Sequence, residues 1–316
     1  MKVLILGAGG IGCYYAARLM DAGHHVVLVA RGAHLRAMQT QGLKVIHPQF
    51  EFAAPVSACD MPALMSDHRC ADFDLIILAA KATVTASMMA ELANWLAAAS
   101  TPLLSLQNGV GNEPLIADVV GSGRTLGGLA VRIGGHIVAP GQVEATGVAQ
   151  IEMGAWPDSR RNPDWQAHLL RWQAAFVAAA IPCTLSDDIQ QALWRKLVIN
   201  NGVNPLSALT WLTTRSMTQD PVLKEIVREM MAETVRAAQQ LDVGLTAQDA
   251  ADMFRLISEF DDIKTSMLVD REKGRPLEVD EICLPVIEHC RQAGQPAQTT
   301  ERIHRLLLTS LEACRT

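Results

Sequence analysis

Residues 3–12 of the chain, V-L-I-L-G-A-G-G-I-G, decide the fold. The first four are aliphatic, as in a strand buried within a parallel sheet. The next six have the spacing G-x-G-x-x-G and lead into a helical stretch that reaches Met20. In a dinucleotide-binding unit, the first glycine permits a tight turn, the second lets a pyrophosphate approach the backbone, and the third lets the helix pack on the strand. The alternative is a glycine turn without a ligand. The residues predicted to bind the cofactor here are Gly7, Ala8, Gly9, Gly10, Ile11 and Gly12.

The end of the second predicted strand bears on the choice of cofactor. His25–Ala30 is followed by Arg31, and no Asp or Glu occurs between Asp21 and Glu51. Units that prefer NAD place an acidic residue near this point to bind the ribose 2′-hydroxyl. A guanidinium can instead hold a 2′-phosphate through two hydrogen bonds. Unless Arg31 is only a surface arginine in a loop, it favours NADP(H) over NAD(H).

Two later strands lead to polar residues that could meet the same ligand. Asp74–Ala79 is a predicted strand that ends just before Lys81, and Leu103–Leu106 ends just before the Q-N-G run at 107–109. Ligands of open parallel sheets bind at the carboxyl ends of the strands. Lys81 and Asn108 could therefore line a binding crevice, although an amide followed by glycine is also a common turn.

The rest of the chain predicts a change of architecture. Residues 125–154 contain Gly-Gly pairs between short alternating runs, such as 142–145 and 149–153, which predict antiparallel strands that extend the sheet. Residues 164–180 are predicted to be helical and 182–185 to form a last strand. Helices are then predicted at 188–201, 217–241, 247–260, 278–293 and 298–313. The predicted fold is thus α/β: a Rossmann-type dinucleotide-binding domain at 1–186, then an all-α domain at 187–316, with a cleft between them.

Composition excludes several classes of protein. A length of 316 residues suffices for two domains, and 49% hydrophobic residues can build their cores. The net charge of −6 argues against nucleic-acid binding, and no apolar run is long enough to span a membrane. The apolar run at the start is too short for a signal peptide. The seven scattered cysteines lack a C-x-x-C pair, which predicts free thiols in the cytoplasm and no metal site.

One segment of the helical half carries a polar stripe. Residues 192–205, A-L-W-R-K-L-V-I-N-N-G-V-N-P, are apolar nearly all round, which predicts a largely buried helix. Lys196, Asn200 and Asn204 lie at i, i+4 and i+8, on one face of that helix. The stripe is either a solvated edge or a lysine flanked by two amides that protonates a substrate oxygen.

Two further segments of the helical half begin predicted helices. A short helix is predicted to begin at Thr265–Ser266, and Glu278 and Asp280 fall in the first turn of the helix after it. Acidic residues at this position stabilise the helix dipole, which is a sufficient structural explanation for both.

Together these motifs resemble the ketopantoate reductase family (2-dehydropantoate 2-reductases) over essentially the full length of the chain. The resemblance implies NADPH-dependent reduction of a 2-keto acid to a 2-hydroxy acid, most directly 2-dehydropantoate to pantoate in pantothenate biosynthesis. The matching pieces are G-A-G-G-I-G at 7–12, Arg31, Lys81, Q-N-G at 107–109, W-R-K-L-V-I-N-N-G-V-N-P-L at 194–206, S-M-L-V-D at 266–270 and G-R-P-L-E-V-D at 274–280.

The resemblance also implies a role for each matching residue. The glycine loop, Arg31 and Lys81 would bind the cofactor, and Asn108 would contact both cofactor and substrate. Lys196 would be the general acid. Glu278 would lie at the junction of cofactor and substrate, as a catalytic and cofactor-binding residue. The remaining substrate-binding residues would be Asn200, Asn204 and Ser266.

The chain departs from the family pattern at two positions. Where the family usually has Asn-Gly after its E-x-D motif, this chain has Cys283-Leu284, and Thr214 stands where some members have a substrate-binding asparagine. A paralogue that reduces another bulky 2-keto acid is therefore an alternative. The rival functions are a β-hydroxyacid dehydrogenase and a non-catalytic NADP(H)-sensing protein. A homodimer is also expected as an assembly, because helical second domains of this kind often dimerise.

Overall fold

The structure is a computed structural model that describes residues 1–159, 165–259 and 262–313. The chain forms two compact units: the first contains Met1–Gln107 and Asn112–Ile189, and the second contains Asn108–Gly111 and Gln190–Thr316. The start of one predicted helix at residue 164, the end of another at 260 and the seventh cysteine, at 314, lie outside the described residues.

The first unit is built on one sheet of ten strands among the residues described. Six of them run parallel in the order β5-β2-β1-β6-β7-β8, which is the Rossmann order and confirms the predicted α/β class. The strands are β1 (Lys2–Leu6), β2 (His25–Val29), β3 (Leu43–His47), β4 (Phe50–Ala54), β5 (Ser57–Cys59), β6 (Leu75–Leu78), β7 (Leu103–Ser105), β8 (Thr125–Ala139), β9 (Gln142–Ala155) and β10 (Cys183–Leu185).

Helices cover both faces of this sheet. Val3 and Ile5 pack in a core with α1 and α6, whereas Leu4 and Leu6 pack in another core with α3, α4 and α5. The alternation follows from the two-residue period of a strand, and burial on both faces explains why residues 3–6 of β1 are all hydrophobic. These helices, with α2, are α1 (Gly10–Asp21), α2 (Gly32–Gln41), α3 (Met61–Asp67), α4 (Thr85–Ala97), α5 (Asn112–Val120) and α6 (Gln166–Ala178).

The antiparallel extension is confirmed, but the prediction of short runs between 125 and 154 is wrong. β8 and β9 are long strands of 15 and 14 residues that pair with each other. The Gly-Gly pairs lie inside β8 because neighbouring backbone comes too close for side chains. A Cβ at Gly128 would lie 2.8 Å from the Ser105 carbonyl oxygen, and one at Gly135 would lie 2.8 Å from the Gly10 carbonyl carbon. β9 also pairs with β3 and with β10, and β3 pairs in turn with β4.

The second unit is helical throughout its described elements, as predicted, with two differences in helix ends. α7 continues through Pro205 to Thr210 instead of ending at 201, because residues on both sides of the proline are buried in one core. The predicted helix at 217–241 is divided at Pro221, which has no N–H to donate. Asp220 before it is extended, and its side chain accepts hydrogen bonds from the next two backbone N–H groups. The helices are α7 (Ile189–Thr210), α8 (Thr214–Gln219), α9 (Leu223–Gln239), α10 (Ala247–Glu259), α11 (Ser266–Glu272), α12 (Val279–Gln292) and α13 (Gln298–Ala313).

The core of the second unit is built from Trp194, Leu197 and Val198 of α7 and apolar residues of α9, α10, α12 and α13. Within the described ranges, no helix is both long enough and apolar enough to cross a bilayer.

Candidate active site

The glycine loop of the first unit turns sharply between β1 and α1. Gly7 has a φ of +106°, and a Cβ there would lie 2.4 Å from the backbone nitrogen of Ala80. A Cβ at Gly12 would lie 2.2 Å from the carbonyl oxygen of Gly7. Only glycine therefore fits at either end of the loop, because the turn needs the left-handed region and the helix packs directly on the strand.

Gly9, in the middle of the same loop, faces open space. A Cβ at Gly9 would meet no heavy atom within 4 Å. Gly9 is also the N-cap of α1, where it offers no side-chain cap, and the first turn of α1 carries no acidic residue. The first N–H groups of a helix have no acceptor within the helix and attract anions. The loop thus fits the pyrophosphate of a dinucleotide in both shape and charge.

The carboxyl ends of the neighbouring strands bring two predicted cofactor residues to the edge where this loop lies. Arg31 follows β2 as the exposed N-cap of α2, and Lys81 follows β6 and is also exposed. Backbone hydrogen bonds from Ala8 to Val29 and from Ala79 to Leu6 hold this edge together. The two cations and the glycine loop thus occupy three adjacent strand ends, the expected location for a ligand in this fold.

His34 of α2 contacts Cys13 of α1, just after the glycine loop, and was not predicted from the sequence. Its Nδ1 accepts from the backbone N–H of Gly141 at 3.0 Å, so the neutral ring carries its proton on Nε2, 3.6 Å from the sulfur of Cys13. Burial lowers the pKa of His34 and raises the pKa of Cys13 to about 12. The thiol therefore keeps its proton at neutral pH and is not a nucleophile.

In the second unit, the predicted polar stripe lies on a continuous helix. Lys196, Asn200 and Asn204 belong to α7, so the stripe is about 12 Å long at 1.5 Å per residue. Lys196 and Asn200 are half-buried, and Asn204 is buried. The stripe is therefore not a fully solvated edge, because its polar groups become less exposed along the helix.

The segment Asn108–Gly111 meets the start of α12. The Asn108 side-chain nitrogen donates to Oε2 of Glu278 at 3.3 Å, which joins two predicted site residues 170 positions apart. Glu278 is the N-cap of α12 and only 7% exposed, and the structure shows no hydrogen bond from its side chain to the helix it caps. The helix-dipole explanation is thus incomplete for Glu278, since its carboxylate is bound to a distant amide.

Two further positions from the sequence analysis differ in how much they can offer a ligand. Ser266 is exposed at the first residue of α11, where Thr265 caps the helix through its hydroxyl. Thr214 is buried, and its hydroxyl and backbone N–H both bond to the backbone of Ile263. The polar groups of Thr214 are thus hydrogen-bonded to its own chain.

A buried polar junction behind the stripe was not predicted from the sequence. Asn201 is fully buried, and its nitrogen donates to the hydroxyls of Thr234 and Thr300 at 3.0 and 3.1 Å. Oε2 of the buried Glu233 accepts from the hydroxyl and the N–H of Thr300. The N-N pair at 200–201 was the available signal, since adjacent residues of a buried helix must face different surroundings. Across the residues described, no group of three or more His, Cys, Asp or Glu could hold a metal ion.

Comparisons with known proteins agree with the resemblance found in the sequence. The family model for "Ketopantoate reductase PanE/ApbA" matches residues 3–158, and the model for its C-terminal part matches residues 188–310. A 2-dehydropantoate 2-reductase from Mesorhizobium japonicum is 32% identical over 97% of this chain and 97% of its own.

Solved structures give the same result. A 2-dehydropantoate 2-reductase from Geobacter metallireducens is 29% identical, with 98% of this chain and 100% of that chain covered and a TM-score of 0.86. A D-mandelate dehydrogenase solved with NADH and anilino(oxo)acetate has a TM-score of 0.87 over the full length of both chains, but at 20% identity it shows the fold alone. The chain belongs to the ketopantoate reductase family, whose members are dinucleotide-dependent oxidoreductases that reduce a keto acid.

Proposed function

We propose that the chain reduces a 2-keto acid to a 2-hydroxy acid with NADPH, and that Lys196 is the general acid. The observation that carries the proposal is the hydrogen bond between Asn108 and Glu278. This bond joins the Q-N-G motif to the E-x-D motif. Neither motif needs the bond in order to pack its own helix or strand. Family membership supplies the type of reaction, and the proposal adds the residues that perform it.

The side chains of the first unit would bind and orient the cofactor. The N–H groups at the start of α1 hold the pyrophosphate, with Gly9 leaving room for its approach. Arg31 binds the 2′-phosphate, and Lys81 adds a second positive charge at the same edge. The bound cofactor supplies a hydride to the carbonyl carbon of the substrate.

The side chains of the second unit would bind the substrate and supply a proton. Asn200, Asn204 and Ser266 bind its carboxylate and hydroxyl groups, and Lys196 donates a proton to the oxygen of the carbonyl that is reduced. An ordinary lysine keeps its proton at neutral pH, so the ammonium can both stabilise the developing alkoxide and protonate it. Glu278 orients Asn108 by accepting a hydrogen bond from its side-chain nitrogen.

The substrate is proposed to be 2-dehydropantoate, with another bulky 2-keto acid as the second candidate. Two observations favour the second. Thr214 is bonded to the backbone of Ile263, and Cys283 is completely buried in the core, where burial raises the pKa of its thiol. Neither side chain offers a free polar group to a substrate, and both positions depart from the family pattern.

The test is a kinetic screen. The protein is mixed with NADPH or NADH and a panel of 2-keto acids that includes 2-dehydropantoate, and absorbance of the reduced nicotinamide is followed. We expect turnover with NADPH and the highest kcat/KM for 2-dehydropantoate. A higher value for another member of the panel selects the second candidate. NADPH binding without any turnover would instead support an NADP(H)-sensing protein.

Two pairs of variants test the assigned residues. Lys196→Ala should lower kcat by about 10²–10⁴, the usual contribution of a general acid, while exposed Lys273→Ala should not change it. A loss below about tenfold for Lys196→Ala would refute the role. Arg31→Ala should lower the ratio of NADPH to NADH efficiency, with Arg302→Ala in the other unit as control. An unchanged ratio would refute the assignment of Arg31 to the 2′-phosphate.

Homodimer formation and a cytoplasmic location stay predictions from the sequence.

A further inference from the structure

Three buried polar side chains lie beneath the loops that carry Lys81 and Asn108. Gln107, Thr85 and Asn112 are 4%, 1% and 3% exposed. The side-chain nitrogen of Gln107 donates to the carbonyl oxygen of Ala80 at 3.0 Å and to the hydroxyl of Thr85 at 2.9 Å. The Thr85 hydroxyl donates in turn to Oδ1 of Asn112 at 2.8 Å. We call Gln107, Thr85 and Asn112 the loop network.

The chemistry of the groups fixes the direction of every bond in the loop network. A carbonyl oxygen can only accept, so the nitrogen of Gln107 must face Ala80. The same NH2 group then donates to Thr85, and the hydroxyl uses its single proton on Asn112. Hydrogen bonds arranged in one direction polarise each other, and a break at the central hydroxyl leaves polar groups buried without partners.

The loop network connects the carboxyl ends of two adjacent strands. Ala80 follows β6 and precedes Lys81, whereas Gln107 follows β7 and precedes Asn108. Thr85 and Asn112 are the first residues of α4 and α5, the helices that leave these two loops. Because Ala80 also contacts the turn at Gly7, the loop network holds three ligand-facing loops in one arrangement.

Capping of a helix does not account for Thr85. The N-cap of α4 is Val84, which makes no side-chain cap, and the Thr85 hydroxyl is directed to the side chains of other elements. Further along α4, Met89, Leu92 and Leu96 pack in an apolar core with strands of the sheet, and Thr85 is as buried as they are. A valine at position 85 would fill nearly the same volume without a buried hydroxyl, so packing alone does not account for the threonine.

We propose that Thr85 is a positioning residue whose hydroxyl holds Lys81 and Asn108 in the orientation that the cofactor and substrate require. This rests on the proposed roles of those two residues. Thr85 does not contact a ligand itself. It acts through Gln107, since a rotation of the Gln107 side chain would release Ala80 on one side and shift the backbone of its neighbour Asn108 on the other.

Two substitutions that separate the hydroxyl from the methyl group of Thr85 test the proposal. Thr85→Val removes the hydroxyl and keeps the β-branched shape, while Thr85→Ser keeps the hydroxyl. For each we would measure the Kd of NADPH by fluorescence titration, and kcat and KM for the best keto acid. Thr85→Val should weaken NADPH binding and lower kcat, each by about tenfold or more. Thr85→Ser should keep both within about threefold of the parent chain.

Two results would overturn the positioning role. One is unchanged Kd and kcat in Thr85→Val; the other is an equal loss in the serine and valine variants, since the hydroxyl would then not matter. If Thr85→Val does not fold, Gln107→Met is used, which removes both donated bonds at similar length and should weaken NADPH binding by a similar factor. Unchanged binding in that variant would also overturn the role.

The same measurements separate failure of the proposal from failure of the proposed function. A parent chain that binds NADPH but reduces no keto acid would refute the reaction and leave the Kd comparison of the variants valid. A parent chain that reduces a keto acid, with Kd and kcat equal in all variants, would leave the reaction standing and refute the positioning role.

Discussion

The substitution Gly9→Ala should separate cofactor binding from folding. Gly9 has φ −79° and ψ −169°, which any L-residue can adopt, and its added Cβ would meet no protein atom within 4 Å. Alanine therefore costs the folded state nothing and reduces the freedom of the unfolded chain. Gly→Ala at such a site stabilises by about 0.4–1 kcal/mol. For a unit of this size, Tm should rise by about 1–3 °C.

Cofactor binding should change in the opposite direction. The added methyl group occupies the space in which a pyrophosphate would approach the start of α1, and it would displace at least one N–H···phosphate hydrogen bond. Hydrogen bonds to charged groups contribute about 1.5–3 kcal/mol. The Kd of NADPH should therefore rise by roughly 10- to 150-fold. The assay is a fluorescence titration with NADPH, paired with thermal unfolding of the same sample.

Two other glycines provide controls. Gly123 also has open space around its Cβ position but lies outside the glycine loop, so Gly123→Ala should keep the parent Kd. Gly12→Ala would place its Cβ 2.2 Å from a backbone oxygen and should lose about 1–3 kcal/mol of unfolding free energy. A folded Gly9→Ala variant with a Kd within twofold of the parent would refute the pyrophosphate site.

Two further predictions concern stability. Burial tends to raise the pKa of Asp74, but the Lys2 N–H and the Arg171 guanidinium outweigh it and hold the pKa below its ordinary value. The carboxylate thus stabilises the fold above the ordinary carboxyl range and loses this effect as pH falls through its folded pKa. Asp74→Asn should lower the urea midpoint at neutral pH, with the difference closing in acid; a pH-independent difference would refute this. Glu233→Gln should lower the unfolding free energy by about 1–3 kcal/mol, because either orientation of the new amide would turn its NH2 group toward an N–H donor, that of Thr299 or that of Thr300. A urea midpoint equal to that of the parent would contradict it.

The sequence predicted the parallel strands well because a strand buried on both faces has an unmistakable composition. Residues 3–6 of β1 and all of β6 are aliphatic, and each strand was located to within a residue or two of its ends. β4 and β5 were not predicted, since edge strands are short and need no continuous apolar run. The division of the predicted helix at Pro221 was missed although the proline was visible, because apolar residues on both sides favoured a single helix.

The contacts that matter for the site were less accessible than the elements. The sequence indicated Asn108 and Glu278 separately, but it gave no information on distance, so their hydrogen bond across 170 positions could not be derived. Thr85 and Asn112 carry no signal at all, because a threonine and an asparagine at helix starts are explained by capping preferences. Only the folded structure shows that the Thr85 hydroxyl is bonded to side chains of other elements.

Asn201 explains how a helix that is apolar nearly all round can present its stripe in one direction. Leu197, Val198 and Val203 are all buried, and aliphatic side chains alone specify the rotation of a helix weakly. A buried amide specifies it strongly, since its NH2 group must meet fixed partners or lose hydrogen bonds. Among the described residues, Oδ1 of Asn201 has no partner, so the amide is kept at a cost. Asn201→Leu should therefore reduce turnover more than stability, because α7 keeps its core and loses what fixes the direction of Lys196. The measurement is kcat beside the urea midpoint, and a variant that loses only stability would refute this account.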